Sequence, residues 1–122
     1  MSYTKPNLES KHYDNLFNSL PSLEGKTIAI TGTTSGTGYV AANACGKLGA
    51  KVLLLNRQSE RSVKSYESLK SNTPNGDFIR IECDLQSFNS VKESTKNIEE
   101  SAIEGLDVLC NNAGVMALDD IA

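Results

Sequence analysis

The chain has 122 residues, 39% of them hydrophobic, and a formal net charge of −3 with a sequence pI near 5.1. That composition supports one globular domain with a true core and excludes a disordered chain. The charges alternate in sign, so no basic face is offered to nucleic acid, and the longest apolar run, Val52-Leu53-Leu54-Leu55, is far short of the roughly 20 residues that span a bilayer.

In chain order, residues 1–25 read as a polar N-terminal arm without the apolar core of a signal peptide. Tyr13, Leu16, Phe17 and Leu20 would form one stripe of a short helix stopped by Pro21. Such a stripe fits an arm packed on the domain better than a partner-docking helix. Residues 26–122 form the second unit. Thr27-Ile28-Ala29-Ile30-Thr31 is a β-branched run that ends at Gly32 and predicts a strand. The alanine-rich stretch from Gly38 to Leu48 predicts a helix ended near Gly49. Lys51 to Asn56 predicts a strand covered on both faces. Ser59 to Asn72 predicts a polar helix with Val63, Tyr66 and Leu69 on one side, stopped by Asn72-Thr73-Pro74-Asn75-Gly76. Phe78 to Cys83 alternates as a strand does. Ser87 to Ser101 predicts a helix with Val91, Thr95 and Ile98 inward, and Leu106 to Cys110 a fourth strand. The order β-α-β-α-β-α-β argues for a parallel α/β sheet with right-handed crossovers.

Cys45, Cys83 and Cys110 are odd in number and have no metal-knuckle spacing. They read as small buried hydrophobes of a reducing compartment, which points to a cytoplasmic protein.

The turn Thr31-Gly32-Thr33-Thr34-Ser35-Gly36-Thr37-Gly38 joins the first strand to the first helix. Gly32 permits a sharp turn off the strand, Gly36 clears the approach of backbone to a pyrophosphate, and Gly38 lets the helix pack closely. The helix N-terminus offers N–H groups and a partial positive charge, and Thr33, Thr34, Ser35 and Thr37 add hydroxyls. No Gly-Lys-Ser/Thr follows, so this is not a P-loop. A dinucleotide site that prefers NAD places a carboxylate after the second strand; here Asn56-Arg57 stands there. A guanidinium binds a 2′-phosphate where a carboxylate would repel it, so the expected cofactor is NADP, with NAD less favoured.

These residues, with Cys83-Asp84-Leu85 and Asn111-Asn112-Ala113-Gly114, resemble the short-chain dehydrogenase/reductases. Asn56-Arg57 followed by Glu60-Arg61, and Leu106-Asp107-Val108-Leu109 leading into Asn-Asn-Ala-Gly-Val-Met, look most like the retinol-dehydrogenase-like branch. The resemblance spans Gly25 to Met116. It implies a Rossmann-type doubly wound parallel sheet, truncated after about the fourth strand. It also implies that Gly32, Ser35, Gly36, Thr37 and Gly38 cradle the pyrophosphate and Arg57 meets the 2′-phosphate. Asp84 would accept from the adenine amino group with Leu85 beside it, while Asn111, Ala113 and Gly114 line the adenosine ribose. Asn111 or Asn112 would also tie neighbouring strands together. Position 37 departs mildly from the family, carrying Thr where a bulky aliphatic residue is usual.

The complete family moves a hydride between nicotinamide and an alcohol or carbonyl substrate, using a serine, a Tyr-x-x-x-Lys pair and a supporting asparagine. Those lie beyond the Asn-Asn-Ala-Gly stretch and have no counterpart here. Tyr66 and Lys70 match the letters but belong to the second crossover helix, and His12, the sole histidine, lies in the arm. The chain is therefore expected to be the N-terminal portion of an NADP-dependent oxidoreductase, inactive alone; the alternative is a non-catalytic nucleotide-binding fragment or inactive remnant. The fourth strand would leave an open edge available for self-association.

Overall fold

The computed structural model describes residues 3–4 and 12–114. A short helix α1 (Tyr13–Ser19) precedes the alternation β1 (Thr27–Thr31), α2 (Gly36–Lys47), β2 (Lys51–Asn56), α3 (Glu60–Asn72), β3 (Asp77–Glu82), α4 (Phe88–Ser101) and β4 (Val108–Cys110). The four strands are all parallel and lie in the order β3-β2-β1-β4. In register, Ile30 pairs with Leu54 on one side and Cys110 on the other. This is the Rossmann-like doubly wound arrangement, with the strand order reversing beside β1 while every strand keeps the same direction.

Period-two alternation sends neighbouring strand residues to opposite faces. Ile28, Ile30, Val52, Leu54 and Phe78 meet Tyr39 and Ala42 of α2 and Leu69 of α3. Ala29, Leu53, Leu55, Ile81 and Cys83 form the other cluster, against Val91 and Ile98 of α4. The run Val52–Leu55 is apolar throughout because β2 is central and covered on both faces.

Two expectations about facing residues need correction, on α4 and α1, while α3 keeps Leu69 in the core and Tyr66 packed against it. On α4 the buried residue is Ser94, while Thr95 is exposed. Val91, Ser94 and Ile98 follow the 3.6-residue period along the sheet-facing stripe, and the Thr95 hydroxyl instead donates to the Lys92 carbonyl at 2.6 Å. On α3 the buried face is Ser62, Ser65 and Leu69, with Val63 and Tyr66 at its margin. On α1 no residue is buried and Leu16 is 60% exposed, so its stripe is not what fastens the arm. Tyr13 and Phe17 stack on one another with ring centroids 5.9 Å apart. After α1, Leu23 packs on the core, and its N–H donates to the Leu48 carbonyl at 2.8 Å.

The fourth strand also begins later than its apolar pattern suggests. Asp107 takes up the start of β1 before the ladder proper: its N–H donates to the Thr27 carbonyl at 2.9 Å, and its carboxylate accepts the Thr27 N–H at 2.8 Å. All three cysteines are unpaired thiols; burial pushes the Cys45 thiol above its ordinary pKa, and Cys110 adds to the rise. Among the described residues, no helix is long and apolar enough to cross a membrane, and no His/Cys/Asp/Glu group could hold a metal ion.

Candidate dinucleotide site

The carboxyl ends of the parallel strands, beside a reversal of strand order, are where an open α/β sheet forms a crevice. Here that crevice is an open cleft of about 650 Å³. Its walls combine the glycine turn (Gly32, Thr34, Ser35), the exit of β2 (Asn56, Arg57) and the exit of β3 (Asp84, Leu85), with Ala113 and Gly114 beyond β4. The first turn of α3 contributes Ser59 and Arg61.

The turn takes its shape from β1 and from what surrounds it. Gly32 has φ 72° and Gly36 φ 60°, backbone that residues with a Cβ rarely adopt. At Gly36 an added Cβ would meet nothing within 4 Å, so the backbone there faces open space. Gly38 is required for a different reason: its Cβ would overlap the Gly32 carbonyl and come within 2.6 Å of Asn112 Nδ2. The first turn of α2 thus folds directly against the turn that precedes it.

Helix ends distinguish this crevice further. Ser59 caps α3 by accepting the Ser62 N–H, and Ser87 caps α4 by accepting the Ser90 N–H. Ser35, at the start of α2, makes no such side-chain bond, and the first turn of α2 carries no acidic residue. Its leading N–H groups and partial positive charge are left for an incoming anion.

Three side chains, Asn56, Asn112 and Thr31, hold the crevice together. Asn56 Oδ1 accepts the Thr33 N–H at 2.8 Å, while Asn56 Nδ2 donates to Thr33 Oγ1 at 2.7 Å. Its backbone carbonyl accepts the Cys83 N–H at 2.9 Å, so one residue joins the ends of β1, β2 and β3. On the other side, Asn112 Nδ2 donates to the carbonyls of Thr31 at 3.3 Å and Gly32 at 3.2 Å. The Thr31 hydroxyl accepts the N–H groups of Asn112 and Ala113 at 3.0 and 2.9 Å.

The residues singled out in the sequence therefore separate into groups. Gly32, Ser35, Arg57, Asp84, Leu85, Ala113 and Gly114 share the cleft. Gly36, Thr37 and Gly38 form the first turn of α2 and do not line its wall. Thr33 is fully buried, with its hydroxyl committed to Asn56. Asn111 is exposed and outside the wall, and the strand tie falls to Asn112 alone. Asp84 lines the cleft and also shapes the turn, since its carboxylate accepts the Gln86 N–H at 3.0 Å. Arg61 was missed as a wall residue; the available signal was a second cation four residues past Arg57, one turn into a helix that Ser59 starts.

Tyr66 and Lys70 do not form a catalytic pair. The Arg80 guanidinium lies 5.8 Å from the centroid of the Tyr66 ring, and Lys70 Nζ donates to the Gly76 carbonyl at 2.7 Å. His12 stands at the start of α1. Val115 and Met116 lie outside the described residues.

Comparison with known proteins gives concordant findings. The family model for short chain dehydrogenases matches residues 26–122. An uncharacterized oxidoreductase of Schizosaccharomyces pombe is 34% identical over 100 residues, covering 82% of this chain and 29% of that protein. Human retinol dehydrogenase 13 is 33% identical over 99 residues, covering 80% of this chain and 29% of its own length. Among solved structures, L-sorbose reductase of Gluconobacter frateurii, complexed with NADPH and L-sorbose, superposes with a TM-score of 0.69 at 30% identity. It covers 82% of this chain and 37% of the reductase. A short-chain type dehydrogenase/reductase of Mycobacterium marinum gives 0.69 at 25%, over 88% of this chain and 40% of that one. The chain thus spans about three tenths of the length of the curated relatives it matches.

Proposed function

The chain belongs to the short-chain dehydrogenase family, whose curated members here are oxidoreductases, and from that premise we propose that it binds NADP by the adenosine and pyrophosphate end. The observation that carries this reading is the meeting, in one cleft, of the glycine turn with Arg57 and Arg61. The turn and the uncapped start of α2 suit a pyrophosphate, including the backbone of Gly36, Thr37 and Gly38. The two guanidinium groups suit a 2′-phosphate, which a lone ribose hydroxyl would not require. Asp84 and Leu85 would border the adenine, and Ala113 and Gly114 the ribose, with Asn111 at the rim.

When bound, the nicotinamide supplies or accepts the hydride exchanged with an alcohol or carbonyl substrate. The described residues hold and orient the other end of the cofactor and bring no tyrosine and lysine together for proton transfer. The 122 residues are accordingly proposed to bind nucleotide without turning over substrate.

Titration of NADPH and NADH into the wild-type chain and Arg57→Ala tests this. The wild type is expected to favour NADPH, and the variant to lose roughly tenfold of that preference, about 1.4 kcal/mol. An unchanged preference would overturn the role given to Arg57. We further infer that the outer edge of β4 pairs with the same edge of a second copy. Val108 and Leu109 are 48% and 50% exposed there, and β4 has no second neighbour strand among the described residues.

A further inference from the structure

Among the described residues of the arm, Tyr3 reaches the glycine turn. The Tyr3 hydroxyl donates to the Thr34 backbone carbonyl at 3.0 Å, across 31 residues of chain. Thr34 is a wall residue between Gly32 and Ser35. Its predecessor, Thr33, is already pinned from the β2 side by the two bonds of Asn56. Consecutive residues of the turn are therefore held by separate clamps, one from the sheet and one from the arm. Tyr3 is partly buried, and burial, then Tyr39, raise its pKa while Arg61 opposes the rise. The phenol remains protonated and able to donate at neutral pH.

Resting on the NADP reading above, we propose that Tyr3 is a positioning residue of the dinucleotide site, fixing the Thr34 peptide so that the glycine turn is ordered before the pyrophosphate arrives. A tether at Thr34 acts between Gly32 and Gly36, the two positive-φ residues where a chain has the most conformational freedom to lose. Ordering it at the moment of binding costs affinity, and a pre-formed turn avoids that cost. The same contact gives the arm a use that the exposed stripe of α1 does not supply.

The test compares wild type with Tyr3→Phe, which keeps the ring and removes the donor. Three probes are titrated: NADPH, ADP, which retains the pyrophosphate, and 2′-AMP, which lacks it. Loss of one hydrogen bond predicts NADPH and ADP weakened by roughly threefold to tenfold, with 2′-AMP unchanged and the unfolding midpoint retained. Unchanged affinity for all three probes overturns the proposal alone. Equal weakening of all three also overturns it, because that marks a general loosening of the fold. If the wild type binds neither NADPH nor ADP, the dinucleotide reading itself fails and this inference falls with it.

Discussion

Strands β2 and β4 both flank β1, yet they live in different surroundings. Leu53 of β2 is fully buried, with β1 and β3 beside it and helices on both faces. Leu109 of β4 is half exposed and, among the described residues, pairs only with β1. Similar apolar runs therefore do different work. One provides the packed centre that sets the geometry of the cleft, and the other offers a surface that a further strand would cover. Stability should be concentrated at β2, while association is governed at β4.

Truncation at the two strands separates these roles most sharply. Leu53→Ala should lower the unfolding free energy by roughly 2–5 kcal/mol in chemical denaturation, whereas Leu109→Ala should cost less than about 1 kcal/mol. Comparable losses would show that β4 is as well packed as β2. Next in size is Gly38→Ala, which drives a methyl group into the Gly32 carbonyl and Asn112. A loss of about 1–3 kcal/mol is expected, with at least tenfold weaker NADPH binding; an unaltered affinity would mean that the turn tolerates displacement. Asn112→Ala removes the donor to two carbonyls at the junction of the strands and should cost about 1–3 kcal/mol by calorimetry. Smallest in stability is Leu109→Lys, expected within about 0.5 kcal/mol of wild type. It should nonetheless shift sedimentation toward monomer, and persistence of the larger species would exclude the β4 edge as the contact.

The sequence made β1, β2 and the three crossover helices legible because strand and helix periods are distinct there, with glycine-bearing stops after α2 and α3. It was less informative where a side chain chooses between close alternatives. Nothing local distinguishes Ser94 from Thr95 as the inward residue of α4, since both lie near the same stripe. The choice between Asn111 and Asn112 depends on which amide faces β1, and pairing alone decides that. Thr33 looked equivalent to the other hydroxyls of the turn, but the partner that occupies it, Asn56, is 23 residues away. Arg61 and Tyr3 reach the cleft through a helical turn and a long return of the chain, respectively. The four-residue spacing from Arg57 marks Arg61, whereas nothing in the sequence spacing marks Tyr3. Most of the cleft was legible through motifs that fix backbone; what was not came from contacts made across the fold.

Asn56 carries a consequence for altering cofactor choice. It is the last residue of β2, so a carboxylate introduced there would sit where an acidic group commonly engages a ribose hydroxyl. Asn56→Asp still has an oxygen for the Thr33 N–H, and the Thr33 hydroxyl can reverse its role from acceptor to donor. The brace on the glycine turn would survive the exchange. Preference between the two nicotinamide nucleotides is thus mechanically separable from the integrity of the crevice, and a redesign at positions 56 and 57 need not rebuild the turn.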